Sequence, residues 1–117
     1  MDQSACKLTL VYPLAAEDHI TELLLNADPP LSGFTTWRAE GHGLDFGNAS
    51  VRERVRGRVA LGMLVLILPR LRLSSVLEDI RLGVDISDLT YWVEPIEAFG
   101  RLAHVAAIDV AAAEAAA

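Results

Sequence analysis

The stretch Met63-Leu64-Val65-Leu66-Ile67-Leu68 has no polar face. A strand with one side in water alternates apolar and polar residues, so an unbroken apolar run belongs to a strand buried on both sides, in the middle of a sheet. The run extends from 59 to 69 at most, far short of the roughly 20 residues a membrane helix needs. A central strand over 59–68 requires neighbours on both edges and a layer above it. That requirement organises the reading of the rest of the chain.

Residues 7–12 alternate as a strand, with Leu8, Leu10 and Tyr12 on one face and Pro13 ending the run. The period then changes. Ile20, Leu23, Leu24 and Ala27 fall at i, i+3, i+4 and i+7, one stripe of a helix. Glu17 and Asp18 stand at its start, where carboxylates favour the exposed amides, and Pro29-Pro30 forbids continuation. Gly33 opens a second strand over 34–40, rich in residues suited to a pleated surface, and Gly41-His42-Gly43 breaks it. After the central strand, Leu73, Val76, Leu77 and Ile80 repeat the helical stripe; Ser75 and Glu78 have capping-box spacing, and Gly83 sits where a C′ residue belongs. A fourth strand covers 89–94 and ends at Pro95. The order is β-α-β-β-α-β. With right-handed crossovers this predicts an α+β, ferredoxin-like sandwich: an antiparallel four-stranded sheet, two helices on one face, and a long loop between strands two and three.

Two helices cover one side of such a sheet. Trp37, Tyr91 and Trp92 are large strand residues that alternation cannot place together under the helices. Apolar strand area therefore faces the other way, and the chain is expected to form a homo-oligomer that buries it. The net charge of −6 excludes general nucleic-acid binding, which needs a basic face. The one cysteine, Cys6, permits no intrachain disulfide and reads as a small buried residue. The opening residues lack the basic and apolar regions of a signal peptide, so a soluble, cytoplasmic, non-membrane-spanning protein is expected. The domain is placed at 1–103. The alanine-rich tail, 104–117, reads as a frayed helix or an appended tract, with no assigned function.

The connection from about 42 to 57 is the main anomaly, because a hairpin usually needs two to five linking residues. Arg52, Arg54, Arg56 and Arg58 alternate along it, so in an extended chain four guanidinium groups share one face. Guanidinium suits bidentate capture of phosphate or carboxylate. In the plainer reading, two hairpin arms lengthen the strands with Val51, Val55 and Val59 inward and the arginines solvated. Both readings stay open, and Arg52, Arg54 and Arg56 are the candidate partner-docking residues.

Gly41-His42-Gly43, the long connection, Val55-Arg56-Gly57-Arg58, and Val93-Glu94-Pro95-Ile96-Glu97 followed by Arg101 together resemble the PII-like signalling superfamily (nitrogen regulatory protein PII-like) over about residues 7–103. The chain is most similar to a bacterial branch often encoded beside heavy-metal efflux systems. The resemblance implies a trimer, a connection (the T-loop) that reaches toward a target, and a ligand in the cleft between subunits at the loop base, in many members an adenine nucleotide. Carried over residue by residue, the candidate ligand-binding set is Gly41, His42, Gly43, Arg58, Glu97 and Arg101. The chain departs from the pattern in three places. The second phosphate-binding basic position is Ala103. The glycine-lysine phosphate loop is replaced by Gly83-Val84-Asp85-Ile86-Ser87-Asp88, and no tyrosine lies between 42 and 58. The implied cofactor is thus left at a nucleotide or another small anion. The implied partner is a membrane transporter subunit of a heavy-metal efflux system.

His42, with Glu40 and Asp45 nearby, is a candidate metal ligand, but His19, His42 and His104 lack any ligand spacing, and a backbone-bonding role is favoured. Two other functions compete with regulation: a CutA-like divalent-metal-binding protein, and a small enzyme of the ferredoxin-like dimeric-barrel kind. No nucleophile–base pair stands out for the enzyme, and the residues of 61–68 offer no aromatics for stacking RNA bases.

Overall fold

A computed structural model describes residues 4–43 and 58–104. Strand β1 is Ala5–Pro13, helix α1 Glu17–Leu25, β2 Thr35–His42, β3 Arg58–Pro69, α2 Leu73–Gly83 and β4 Thr90–Ile96. Short 3-10 turns, Leu14–Ala16 and Arg70–Arg72, lead into the two helices. The four strands form one sheet in the order β2-β3-β1-β4, and every neighbouring pair is antiparallel. This is the ferredoxin-like arrangement, in which each β-α-β crossover skips one strand.

Register explains the core. Cys6 pairs with Leu68, Leu8 with Leu66, and Leu10 with Leu64. All six face the helices and are buried, with Ile20 and Leu24 of α1 and Val76 and Ile80 of α2 packed over them. Tyr12 ends this row. Its ring lies over Gly62, its cross-strand partner, and its hydroxyl donates a 2.9 Å hydrogen bond to Glu17 Oε1 at the first turn of α1. Burial above all, then the Glu17 carboxylate, pushes the Tyr12 hydroxyl far above the ordinary phenol range. That bond ties the end of β1 to the start of the helix it feeds.

The central position of β3 is as the apolar run requires, but its burial is one-sided. Leu64, Leu66 and Leu68 are buried under the helices, whereas Met63, Val65 and Ile67, on the outer side, are half-buried. The same outer face carries Trp37, paired across from Met63, and Trp92, paired with Thr9. The indoles are 44% and 42% exposed, so the sheet presents aromatic and aliphatic surface away from the helices. Thr9 lies between them, almost fully buried, and its hydroxyl has no partner among the described residues. Tyr91 is on the opposite, helix-facing side, across from Leu10.

Five local expectations are corrected. Ser75 and Glu78 do not form a capping box. Both lie inside α2, which starts at Leu73 without a side-chain cap; Ser75 Oγ donates to the Arg72 carbonyl and Glu78 pairs with Arg81. Gly83 is the last helical residue, not a left-handed C′ residue, and the chain leaves it through extended Val84. Helix α1 stops at Leu25, so Ala27 lies outside it. Strand β2 runs through Gly41 and His42, and β4 runs through Pro95 to Ile96. Pro95 is tolerated because β4 is an edge strand, where a missing amide donor can face outward. Cys6 is buried and unpaired, as expected. The tail assignment lies, beyond residue 104, outside the described residues.

Gly62 leaves no room for a side chain: a Cβ there would run into Tyr12 Cε1 and stand 2.8 Å from Cζ and 3.1 Å from Glu17 Oε1. Gly62→Ala is expected to destabilise the fold by roughly 1–3 kcal/mol, the usual range for overpacking, measured by urea denaturation. An unchanged midpoint would show that the Tyr12–Glu17 pair yields freely.

Candidate functional site

Strands β2 and β3 leave the sheet together at one end. His42 pairs with Arg58 across the last rung, and Glu40 with Ala60 two residues back. Glu40 and Arg58 are diagonal neighbours on one face, and Arg58 Nε reaches Glu40 Oε2 at 2.9 Å. Gly43, the next residue, has φ +68°, a left-handed turn that only glycine takes without strain. Gly41 is buried in the strand, while His42 and Gly43 are exposed and Arg58 is half-buried. The Arg58 guanidinium therefore stands at the mouth of the connection, partly neutralised by a carboxylate. The exposed His42 shares its rung with this cation. Among the described residues, no group of three His, Cys, Asp or Glu side chains could hold a metal ion.

Glu97 and Arg101 follow the end of β4, and both are exposed. Ile96 pairs with Ala5, and Ala5 with Pro69, so β4 ends beside the far end of β3. Arg58 opens that strand and Pro69 closes it. Eleven strand steps separate them, about 36 Å at the usual rise. One chain thus holds the six candidate residues in two groups at opposite ends of its sheet: Gly41, His42, Gly43 and Arg58 at one end, Glu97 and Arg101 at the other. Arg52, Arg54 and Arg56, the candidate docking residues, lie outside the described residues, as does Asp45.

A cavity that the motif reading missed lies between α2, the 84–89 loop and the β1–β4 pair. It measures about 660 Å³. Its apolar lining includes Leu10, Leu77, Ile80, Val84, Leu89 and Tyr91, and its polar residues are Ser74, Glu78, Arg81, Asp85 and Ser87. Arg81 is engaged with Glu78 through two hydrogen bonds, Nε to Oε1 at 2.6 Å and Nη2 to Oε2 at 3.0 Å. Those bonds hold the Glu78 carboxyl below its usual range and raise Arg81 further. The sequence signal was available in Val84, Ile86 and Leu89, apolar residues interleaved with Asp85 and Ser87 in a segment too short to be a strand. No helix among the described residues is long and apolar enough to cross a membrane.

The sequence matches one family model, that of a protein of unknown function (DUF3240), over residues 2–103. No curated protein matches. Among solved structures, a DUF3240 family protein from Shewanella baltica superposes with a TM-score of 0.69 at 20% identity, covering 87% of this chain and 99% of that one. CPII from Thiomonas intermedia K12, a nitrogen regulatory PII-like protein solved bound to ADP, AMP and bicarbonate, gives a TM-score of 0.61 at 21% identity, covering 84% and 94%. GlnK of B. subtilis, solved as its ATP complex, gives 0.62 at 14% identity, covering 82% and 84%. The strand order and the family match agree: the chain belongs to the DUF3240 family and has the ferredoxin-like fold of the PII-like proteins.

Proposed function

We propose that this chain is a regulatory protein of PII-like type and not an enzyme, that it works as a homotrimer, and that its 42–57 connection docks on a partner when a small anion occupies the base of that connection. The observation that carries the reading is the split of the candidate residues between the two ends of one sheet. Arg58 and the Gly41–Gly43 segment can meet Glu97 and Arg101 only if another copy supplies one of the two groups. The outer sheet face, with Trp37, Met63, Val65 and Trp92, gives the copies an apolar reason to associate. The likeness to CPII and GlnK supports a regulatory role in solution, and the anions named with those proteins set the class of ligand to test.

In this account Arg58 and Arg101 converge on the anion from different chains. Glu40 tempers Arg58 until an anion competes for it, which makes the base of the connection responsive to occupancy. The connection, with Arg52, Arg54 and Arg56, then presents a cationic arm to an acidic surface. The partner is proposed to be a transporter subunit, as the PII-like resemblance implies.

Light scattering on the native protein is expected to give about three times the 12.7 kDa chain mass. Trp37→Glu, which puts a charge on the outer face, is expected to shift it toward the single-chain value; a native single-chain mass would sink the assembly. Calorimetry with ADP is expected to show binding that falls about tenfold or more in Arg58→Ala and in Arg101→Ala, the loss of one charge-assisted contact. Mixed oligomers of those two variants are expected to recover part of it, because some clefts then hold both arginines; no recovery would place the two in separate sites. Removal of residues 44–56 is expected to abolish partner recovery in a pull-down. Equal recovery would exclude the connection as the docking element.

A further inference from the structure

The cavity between α2 and β4 differs from the loop-base residues in its lining and in its charge. It is built within one chain, on the helix-facing side of the sheet, and needs no second copy. Its volume, about 660 Å³, lies in the range of small-molecule pockets. Its floor is core: Leu10, Ile80 and Val84 are 0%, 3% and 4% exposed. At its side Tyr91, 54% exposed, is a large aromatic residue only partly covered. An apolar body placed there would remove this surface from water, the main source of affinity in such pockets.

The charges decide what such a body must carry. Arg81 is the one cation among the lining residues, and its two hydrogen bonds to Glu78 engage it. Their charges cancel. Asp85 is left: among the described residues its side chain has no hydrogen-bond or ion-pair partner, and it is exposed. Ser87, two residues on, also lines the cavity and offers a hydroxyl acceptor. The rim thus carries one uncompensated negative charge, on a chain whose net charge is −6. A carboxylate or phosphate would meet Asp85 with no free cation to offset it. An ammonium would meet an unpaired carboxylate in a lining that also holds the Ser87 hydroxyl and the Tyr91 ring, groups that favour a cation.

We propose that this cavity is a binding site for an amphipathic primary amine, with the apolar body on the floor of Leu10, Ile80 and Val84 and the ammonium at Asp85. Its lining residues are not those proposed to hold the anion, and the inference does not rest on that reading. The site gives the chain a second input of opposite charge.

Two probes of matched skeleton and opposite charge test it: 3-phenylpropylamine and 3-phenylpropionate, titrated by calorimetry into the full chain. The amine is expected to bind at least about tenfold tighter than the acid. Asp85→Asn, at an exposed position, should remove most of that preference while circular dichroism and thermal midpoint stay native. Ser74→Trp, which fills the cavity from α2, should abolish amine binding. Equal or tighter binding of the acid, no amine binding, a preference unchanged in Asp85→Asn, or binding unchanged in Ser74→Trp would each overturn the proposal. All of these titrations are repeated on Trp37→Glu, so that a failure of assembly is distinguished from a failure of this site: the amine is expected to bind that variant equally, and loss of binding in it counts against a site built within one chain.

Discussion

Strand β3 carries more apolar surface than one chain covers, and the rest of the architecture follows from that. Its helix-facing residues, Leu64, Leu66 and Leu68, need a layer above them; α1, which precedes the strand, and α2, which follows it, supply that layer. Its placement between β2 and β1 leaves the hydrogen-bonding edges to β2 and to β4, which carries Pro95. Its outer residues, Met63, Val65 and Ile67, are only half-covered, and the tryptophans of the flanking edge strands extend that surface across the sheet. The fold is complete as a core and incomplete as a surface.

The fold was legible because its determinants are periodic. The switch from alternation in 7–12 to the Ile20–Leu24 stripe, and back to an unbroken run at 63–68, set the order of elements without any tertiary information. Element ends were less legible, because the same spacing serves different interactions. Ser75 and Glu78 have the separation of a capping box, but Glu78 finds Arg81 three residues on, within the helix, and Ser75 bonds back to the Arg72 carbonyl. Pro95 reads as a terminator in sequence and is harmless on an edge that sequence alone does not locate. The apolar run gave the right strand position and the wrong degree of burial, because an unbroken apolar pattern reads the same whether or not the chain's own helices cover both faces.

The site was legible only as residue types. Gly43 takes the left-handed turn that its position before the connection demands. Arg58 stands at the loop base, yet its ion pair with Glu40 depends on a diagonal strand contact. The separation of Arg58 from Arg101 is a matter of strand direction, and sequence spacing does not reveal it. The α2–β4 cavity was missed for a related reason: residues 83–88 read as a phosphate loop without its glycine-lysine pair, when their apolar members form a wall and Asp85 its charged rim. Chemistry absent from an expected motif hid chemistry that was present.

Both tryptophans of the chain, Trp37 and Trp92, lie on the outer sheet face, so indole fluorescence reports on that face alone. Acrylamide quenching of the native protein, followed across a dilution series, tests the central claim that other copies cover this face. The account predicts blue-shifted emission and weak quenching at high concentration, both giving way to red-shifted, strongly quenched emission as the assembly dissociates. Exposed, readily quenched indoles in a protein still assembled would contradict it.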